Sequence, residues 1–127
     1  MSGYTETSLE FAEKFRDLVA DQAEWSQATF GSDAERGPVG PLKHLAREAI
    51  EAAEAWSDLP PTVIESVMRR HKFYEELADC LLLILDASRR GGIKPMQLVE
   101  KAQAKMKINR ARTWPTPVAD EPVEHVK

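Results

Sequence analysis

The apolar positions of this 127-residue chain recur at helical spacing in four segments separated by glycines and prolines. Thr7 and Glu10 form a capping-box pattern at the start of the first segment. The predicted helices run over about Ser8–Phe30, Pro41 to the residue before Pro60, Pro61–Arg90 and Pro95 to about Arg112. Short connections between amphipathic helices are typical of a bundle, so the pattern predicts an all-α fold of four main helices.

The third predicted helix is apolar on nearly every side from Leu77 to Ala87, interrupted by Asp79 and Asp86. A helix that is apolar all round is buried all round, which a chain of this length cannot easily arrange by itself. We therefore expect a homo-oligomer in which a second copy completes the bundle. Both aspartates should then be buried, and a buried carboxylate is costly unless it is paired or binds a metal ion.

Composition narrows the class of protein further. The net charge of −4 argues against binding to a nucleic acid backbone, which requires a basic surface. The single cysteine, Cys80, excludes an internal disulfide framework. With no signal-peptide pattern and no long apolar run, the sequence predicts a cytoplasmic protein without a membrane partner. We expect one domain over residues 1–114 and an extended, proline-rich tail over 115–127.

Two acid pairs stand at the spacing that places both members on one helical face. They are Glu48 with Glu51 on the second helix and Glu76 with Asp79 on the third. A single acid on a helix is usually a solvated surface group. Four carboxylates that face one another repel, however, and such a cluster persists when divalent cations neutralise it. All-oxygen ligation favours Mg²⁺ or Mn²⁺, whose open coordination positions suit phosphate chemistry.

Two groups of polar residues are candidates for binding phosphate. Lys105, Asn109 and Arg112 share one face of the fourth helix, which is either a phosphate clamp or a solvated face. Lys43 and His44 follow a glycine-rich loop at the start of the second helix, where free backbone N–H groups favour anions.

Two aromatic side chains lie near the end of the first helix. Trp25 and Phe30 are either core or interface residues, or a surface on which a nucleobase stacks.

The acid motifs and three flanking segments resemble a known family. The signature of the MazG-like, all-α nucleoside triphosphate pyrophosphohydrolases consists of two acid motifs. This chain resembles it with Glu48-x-x-Glu51 and, after 24 intervening residues, Glu76-x-x-Asp79. Within that family, the phage and bacterial dATP/dGTP diphosphohydrolase branch is similar in three further segments, Trp25–Gly31, Arg36–Leu45 and Lys105–Trp114. The resemblance covers roughly Phe11–Trp114, and the tail lies outside it.

The resemblance implies hydrolysis of a deoxynucleoside triphosphate, preferably dATP or dGTP, to the monophosphate and pyrophosphate. It implies that the four motif acids are catalytic and hold two or three Mg²⁺ or Mn²⁺ ions, and that the cations of the fourth helix contact phosphate or sugar. It also implies a dimer or a pair of dimers and, for a phage enzyme, a role in reshaping the host nucleotide pool. Because Arg47 precedes Glu48, the pair Glu51 and Glu54 also fits the first motif.

Two alternatives to this function remain open. One is a dUTP or dCTP pyrophosphatase, and the other is a non-catalytic helical dimer that serves as an interaction module.

Overall fold

The computed structural model describes residues 6–57 and 62–127. Within those residues it contains four helices and no strand: α1 (Glu6–Phe30), α2 (Val39–Ser57), α3 (Val63–Arg90) and α4 (Pro95–Ala111). The all-α prediction is confirmed, and the described helix ends lie within two residues of those predicted. Thr7 lies inside α1 rather than at its cap, and Pro60 and Pro61 lie outside the described residues. None of the described helices is long and apolar enough to cross a membrane.

Local hydrogen bonds explain where α3 begins and ends. The Thr62 hydroxyl accepts a hydrogen bond from the Glu65 backbone N–H at 3.1 Å, which caps the first turn. At the other end the Gly91 N–H donates to the Ala87 carbonyl at 3.0 Å. Gly92 follows with a φ of 77°, a conformation that favours glycine, so the chain turns away from the helix there.

The chain forms two compact units, Met1–Ile93 and Lys94–Lys127. In the first unit α3 packs against both α1 and α2. In the second unit the Val126 N–H donates to the Thr113 carbonyl at 2.7 Å, and the rings of His125 and Trp114 meet edge to face at 5.8 Å. These contacts bring the C-terminal segment back beside the end of α4. The proposed domain boundary at residue 114 stays a prediction.

A single chain does not bury α3 on every side, and the burial expected in an oligomer stays a prediction. Leu77, Leu81 and Ile84 are 48%, 41% and 40% exposed, and Asp79 is also exposed. The reason is geometric, since α1 and α2 cover only part of the circumference of α3. A second copy over the open face would remove this apolar surface from water, and that remains a prediction.

Asp86, in contrast, is buried and fully paired. It is only 6% exposed, and it accepts hydrogen bonds from Gln22 at 3.0 Å and Ser26 at 2.6 Å, both on α1. The guanidinium groups of Arg89 and Arg90 also bind its carboxylate. Asp86 therefore ties α1 to α3 and needs no metal ion to compensate its burial.

Arg90 fastens the connection between α1 and α2 to the end of α3. Its side chain is 1% exposed. Its guanidinium donates to the Ser26 hydroxyl at 2.9 Å and to the carbonyls of Gly31, Ser32 and Arg36 at 3.1, 3.2 and 3.3 Å. The Ser32 carbonyl also accepts from the backbone N–H groups of Glu35 and Arg36, whereas Arg90 supplies the donors for the Gly31 and Arg36 carbonyls.

The Asp86 network predicts a specific loss of stability in acid. Burial opposes ionisation of Asp86, but its four hydrogen-bond donors outweigh that effect and lower its pKa from 3.8 to about 2. The ionised form thus stabilises the fold above pH 3.8, and this contribution disappears as the pH falls through about 2. We expect Asp86→Asn to remove about 2 kcal/mol of this pH-dependent stability, measured by urea unfolding between pH 2 and 5. An unchanged pH dependence in the variant would contradict the pairing.

Candidate active site

Three carboxylates from α2 and α3 converge on one point, and we call Glu48, Glu76 and Asp79 the acid cluster. One oxygen of each lies within 4.8 Å of the others. Glu76 is buried, Glu48 is half-buried and Asp79 is exposed, so the cluster opens to solvent on one side. The i, i+3 spacing of Glu76 and Asp79 places both on the face of α3 that meets Glu48 of α2.

Glu51 stands beside this cluster and not within it. Its side chain is exposed, and its negative charge acts on the cluster by raising the pKa of Glu48. Glu54, the other member of the alternative first motif, is exposed one turn further along α2. The convergence of Glu48 with Glu76 and Asp79 favours the Glu48–Glu51 pair as the first motif.

The protons of the cluster are distributed unevenly. The Lys72 ammonium, 2.7 Å from Glu76 Oε1, lowers the pKa of Glu76, and hydrogen bonds with Glu48 and Glu51 act in the same direction. The hydrogen bond with Glu76 raises the pKa of Glu48, as do burial and the charge of Glu51. Of these two glutamates, Glu76 therefore favours its ionised form and Glu48 its protonated form, relative to an ordinary glutamate.

A divalent cation fits this donor set. The second oxygen of Glu76, Oε2, is buried and has no hydrogen-bond partner among the described residues. An unpaired buried carboxylate oxygen is costly, and a cation would satisfy it. Metal–oxygen distances of about 2.1 Å place opposite Mg²⁺ ligands about 4.2 Å apart, so small side-chain movements would close the cluster around an ion.

Next to the cluster lies a pocket of about 380 Å³, which we call the basic pocket. Its volume is within the range of small-molecule sites, about 300–1,000 Å³. It is lined by Phe30, Arg36, Gly40, Pro41, Lys43, His44, Arg47, Leu83, Asp86 and Arg90. Apolar side chains thus share the pocket with several cations, a combination that suits a ligand with one apolar and one anionic part.

His44 joins the basic pocket to the acid cluster. It lines the pocket, and its Nε2 lies 3.0 Å from Oε1 of Glu48, one turn later on α2. The two sites are therefore contiguous along one helix face, with cations at one end and carboxylates at the other. Such an arrangement can hold a phosphate chain against a metal ion.

A family model described as dATP/dGTP pyrophosphohydrolase matches residues 18–127. The chain belongs to this family. The resemblance inferred from the acid motifs is therefore confirmed, and the chain is a member of a nucleotide pyrophosphohydrolase family with an all-α fold. Its predicted extent was wrong at the C-terminal end, because the match includes the tail over residues 115–127.

A curated relative supports the same assignment. The chain is 42% identical over 107 residues to the Eaa protein of Salmonella phage P22. The matched region is 84% of this chain and 28% of the relative, so the chain spans less than a third of that protein's length. No solved structure matches the chain.

Three of the residues predicted to bind substrate in this pyrophosphohydrolase line the basic pocket. Phe30, Lys43 and His44 line it. Trp25 is exposed, does not line the pocket and packs edge to face on the Phe30 ring, with the ring centroids 5.3 Å apart.

The other predicted contacts lie in the second unit. Asn109 accepts a hydrogen bond from Arg112 at 3.4 Å through its side chain, and its backbone carbonyl accepts one from the Trp114 indole at 2.8 Å. Lys105 is exposed on the same helix. Their part in binding phosphate or sugar stays a prediction.

Three arginines that line the pocket were not identified from the sequence as binding residues. Arg47 lies one turn after Lys43 on the same helix face, so its position could have been inferred from spacing. Arg36 lies in the α1–α2 connection and Arg90 in the last turn of α3. Their approach to the pocket depends on how that connection folds, which periodicity does not reveal.

Proposed function

We propose that this protein hydrolyses purine deoxynucleoside triphosphates, dATP or dGTP, to the monophosphate and pyrophosphate, with Mg²⁺ or Mn²⁺ as cofactor. The observation that carries the proposal is the buried Oε2 of Glu76, which has no partner within residues 6–57 and 62–127, in a carboxylate cluster that adjoins a basic pocket. The name of the matching family supports the substrate class.

In this proposal Glu48, Glu76 and Asp79 hold the divalent ions, with Glu51 beside them. Bound ions of this kind neutralise phosphate charge and activate water for attack on phosphorus. Lys72 keeps Glu76 ionised and oriented through its contact with Oε1, which leaves Oε2 for the ion. His44 fixes the rotamer of Glu48 by contact with Oε1, so that the Glu48 carboxyl group is positioned to accept a proton from the attacking water.

The basic pocket orients the substrate. Lys43 and Arg47 stand on the α2 face between the pocket and the acid cluster, where they would neutralise phosphate oxygens. Lys105, Asn109 and Arg112 are proposed to add contacts to phosphate or sugar. A homodimer or a pair of dimers would cover the apolar face of α3 that a single chain leaves exposed.

The experiment is a product analysis with the full chain. We expect purified protein with Mg²⁺ or Mn²⁺ to convert dGTP or dATP to dGMP or dAMP and pyrophosphate, separated by anion-exchange chromatography. Chelation should stop the reaction and added Mn²⁺ should restore it. The products dGDP and phosphate, or faster hydrolysis of dUTP and dCTP, would contradict the proposal. No hydrolysis of any of these, together with a melting temperature unaffected by Mn²⁺ and dGDP, would favour a non-catalytic module.

A further inference from the structure

The end of the basic pocket away from the acid cluster has the features of a base-binding site, an inference that rests on the proposed function. Phe30 presents a ring that is 48% exposed, and Trp25 holds that ring edge to face at 5.3 Å. The Arg36 guanidinium lies 6.0 Å from the centre of the Phe30 ring. An aromatic face beside a planar cation is a surface on which a nucleobase can stack.

Three contacts constrain the position of Arg36. Its Nη1 donates to the Phe30 carbonyl at 3.5 Å. Its backbone carbonyl accepts a hydrogen bond from the buried Arg90 at 3.3 Å. Its guanidinium lies against the first turn of α2 at Gly40, where a Cβ atom would stand 3.2 Å from Arg36 Nη2. The absence of a side chain at Gly40 therefore leaves the space that the guanidinium occupies.

The direction of α2 orients the ligand. Glu48 follows Gly40 by eight residues, which is about 12 Å along a helix axis. Lys43, His44 and Arg47 lie between these two positions. A nucleotide whose α-phosphate faces the acid cluster can therefore reach Gly40, Arg36 and Phe30 with its base.

The chemistry of a guanidinium distinguishes the two purines. Guanine presents two acceptors, O6 and N7, on one edge, and an arginine can donate to both at once. Adenine offers the N7 acceptor beside the N6 donor, so one of the two hydrogen bonds is lost and a donor faces a donor. We propose that Arg36 reads the O6/N7 edge of the guanine of dGTP while Phe30 stacks on its face, which makes dGTP the preferred substrate over dATP.

The test compares kcat/KM for dGTP, dATP, deoxyinosine triphosphate and 7-deaza-dGTP. The values are measured for the 127-residue protein and for two variants, Arg36→Met and Arg36→Lys. Because a bidentate guanine contact contributes roughly tenfold discrimination or more, we expect wild-type protein to favour dGTP over dATP by about that factor. Deoxyinosine triphosphate, which keeps O6 and N7, should behave like dGTP, and 7-deaza-dGTP, which lacks N7, should be poorer. Arg36→Met should bring dGTP down to about the level of dATP, with a smaller loss for dATP, which forfeits only the contact at N7.

Arg36→Lys separates base recognition from simple charge. Lysine keeps the positive charge but not the planar pair of donors, so this variant should also lose most of the preference for dGTP. Arg16→Met, on the exposed surface of α1, is the matched control and should keep the wild-type preference. Equal losses for dGTP and dATP in Arg36→Met, with rescue by lysine, would show that Arg36 binds phosphate and would overturn the inference.

Binding measurements keep this inference distinct from the proposed function. Dissociation constants for dGDP and dADP, measured by calorimetry, test the base contact of Arg36 even if no triphosphate is hydrolysed. A preference for dGDP that disappears in Arg36→Met supports the base contact under either outcome of the activity assay. An unchanged ratio of the two affinities in that variant contradicts it.

Discussion

Glu76→Gln should lower kcat/KM for dGTP by at least about a hundredfold while the fold is retained. The carboxylate is the most deeply buried member of the acid cluster, and its Oε2 has no partner among the described residues. Loss of one metal-binding carboxylate removes several kcal/mol of stabilisation from the transition state, and each 1.36 kcal/mol is about a factor of ten in rate. The measurement is pyrophosphate release at saturating Mn²⁺.

Thermal unfolding of the same variant tests the metal site without relying on catalysis. Mn²⁺ should raise the melting temperature of the wild-type protein and have little effect on Glu76→Gln, because an ion that binds only the folded state stabilises it. Without Mn²⁺ the variant should be no more stable than wild type, since the lowered pKa of Glu76 means that its ionised form, paired with Lys72, stabilises the fold. Glu24→Gln, on the exposed surface of α1, should match wild type in both assays. A Glu76→Gln protein with normal Mn²⁺-dependent hydrolysis would exclude the acid cluster as the metal site.

Arg90→Met should destabilise the fold by about 3–5 kcal/mol, the usual cost of removing one partner from a buried ion pair. The change leaves the Asp86 carboxylate without one of its cations and removes the Arg90 donors from the carbonyls of Gly31 and Arg36. We expect the melting temperature to fall by more than about 10 °C. Urea unfolding gives the free energy directly.

The matched control is Arg16→Met, because Arg16 and Asp17 form only an exposed pair at 3.9 Å. That substitution should change stability by less than about 0.5 kcal/mol. A double variant, Asp86→Asn with Arg90→Met, should cost less than the sum of its parts, since each single change disrupts the same network. Additive losses would mean that the two residues do not act together.

The local part of this site could be predicted from the sequence, because it depends on spacing within one helix. Glu76 and Asp79 share a face of α3 at i, i+3, and Lys43 and Arg47 share a face of α2 at i, i+4. The approach of Glu48 to that pair depends on how α2 lies along α3, which periodicity leaves open. The family resemblance supplied the expectation that the two motifs meet.

The different burial of Asp79 and Asp86 could not be predicted from hydrophobic periodicity alone. They lie seven residues apart on one stripe of α3, and the sequence predicts burial for both. Only Asp86 is buried, because Gln22 and Ser26 of α1 lie opposite it. Those partners are more than 55 residues away along the chain, so tertiary packing determines the outcome.

Asp86 and Arg90 line the basic pocket and also fasten the α1–α2 connection, so ligand affinity and local order are thermodynamically linked. If the connection opens in a fraction of molecules, the measured dissociation constant rises as the reciprocal of the closed fraction. A substitution that loosens Arg90 therefore weakens nucleotide binding without touching the nucleotide. Conversely, a bound nucleotide selects the closed connection and protects its backbone amides from hydrogen exchange.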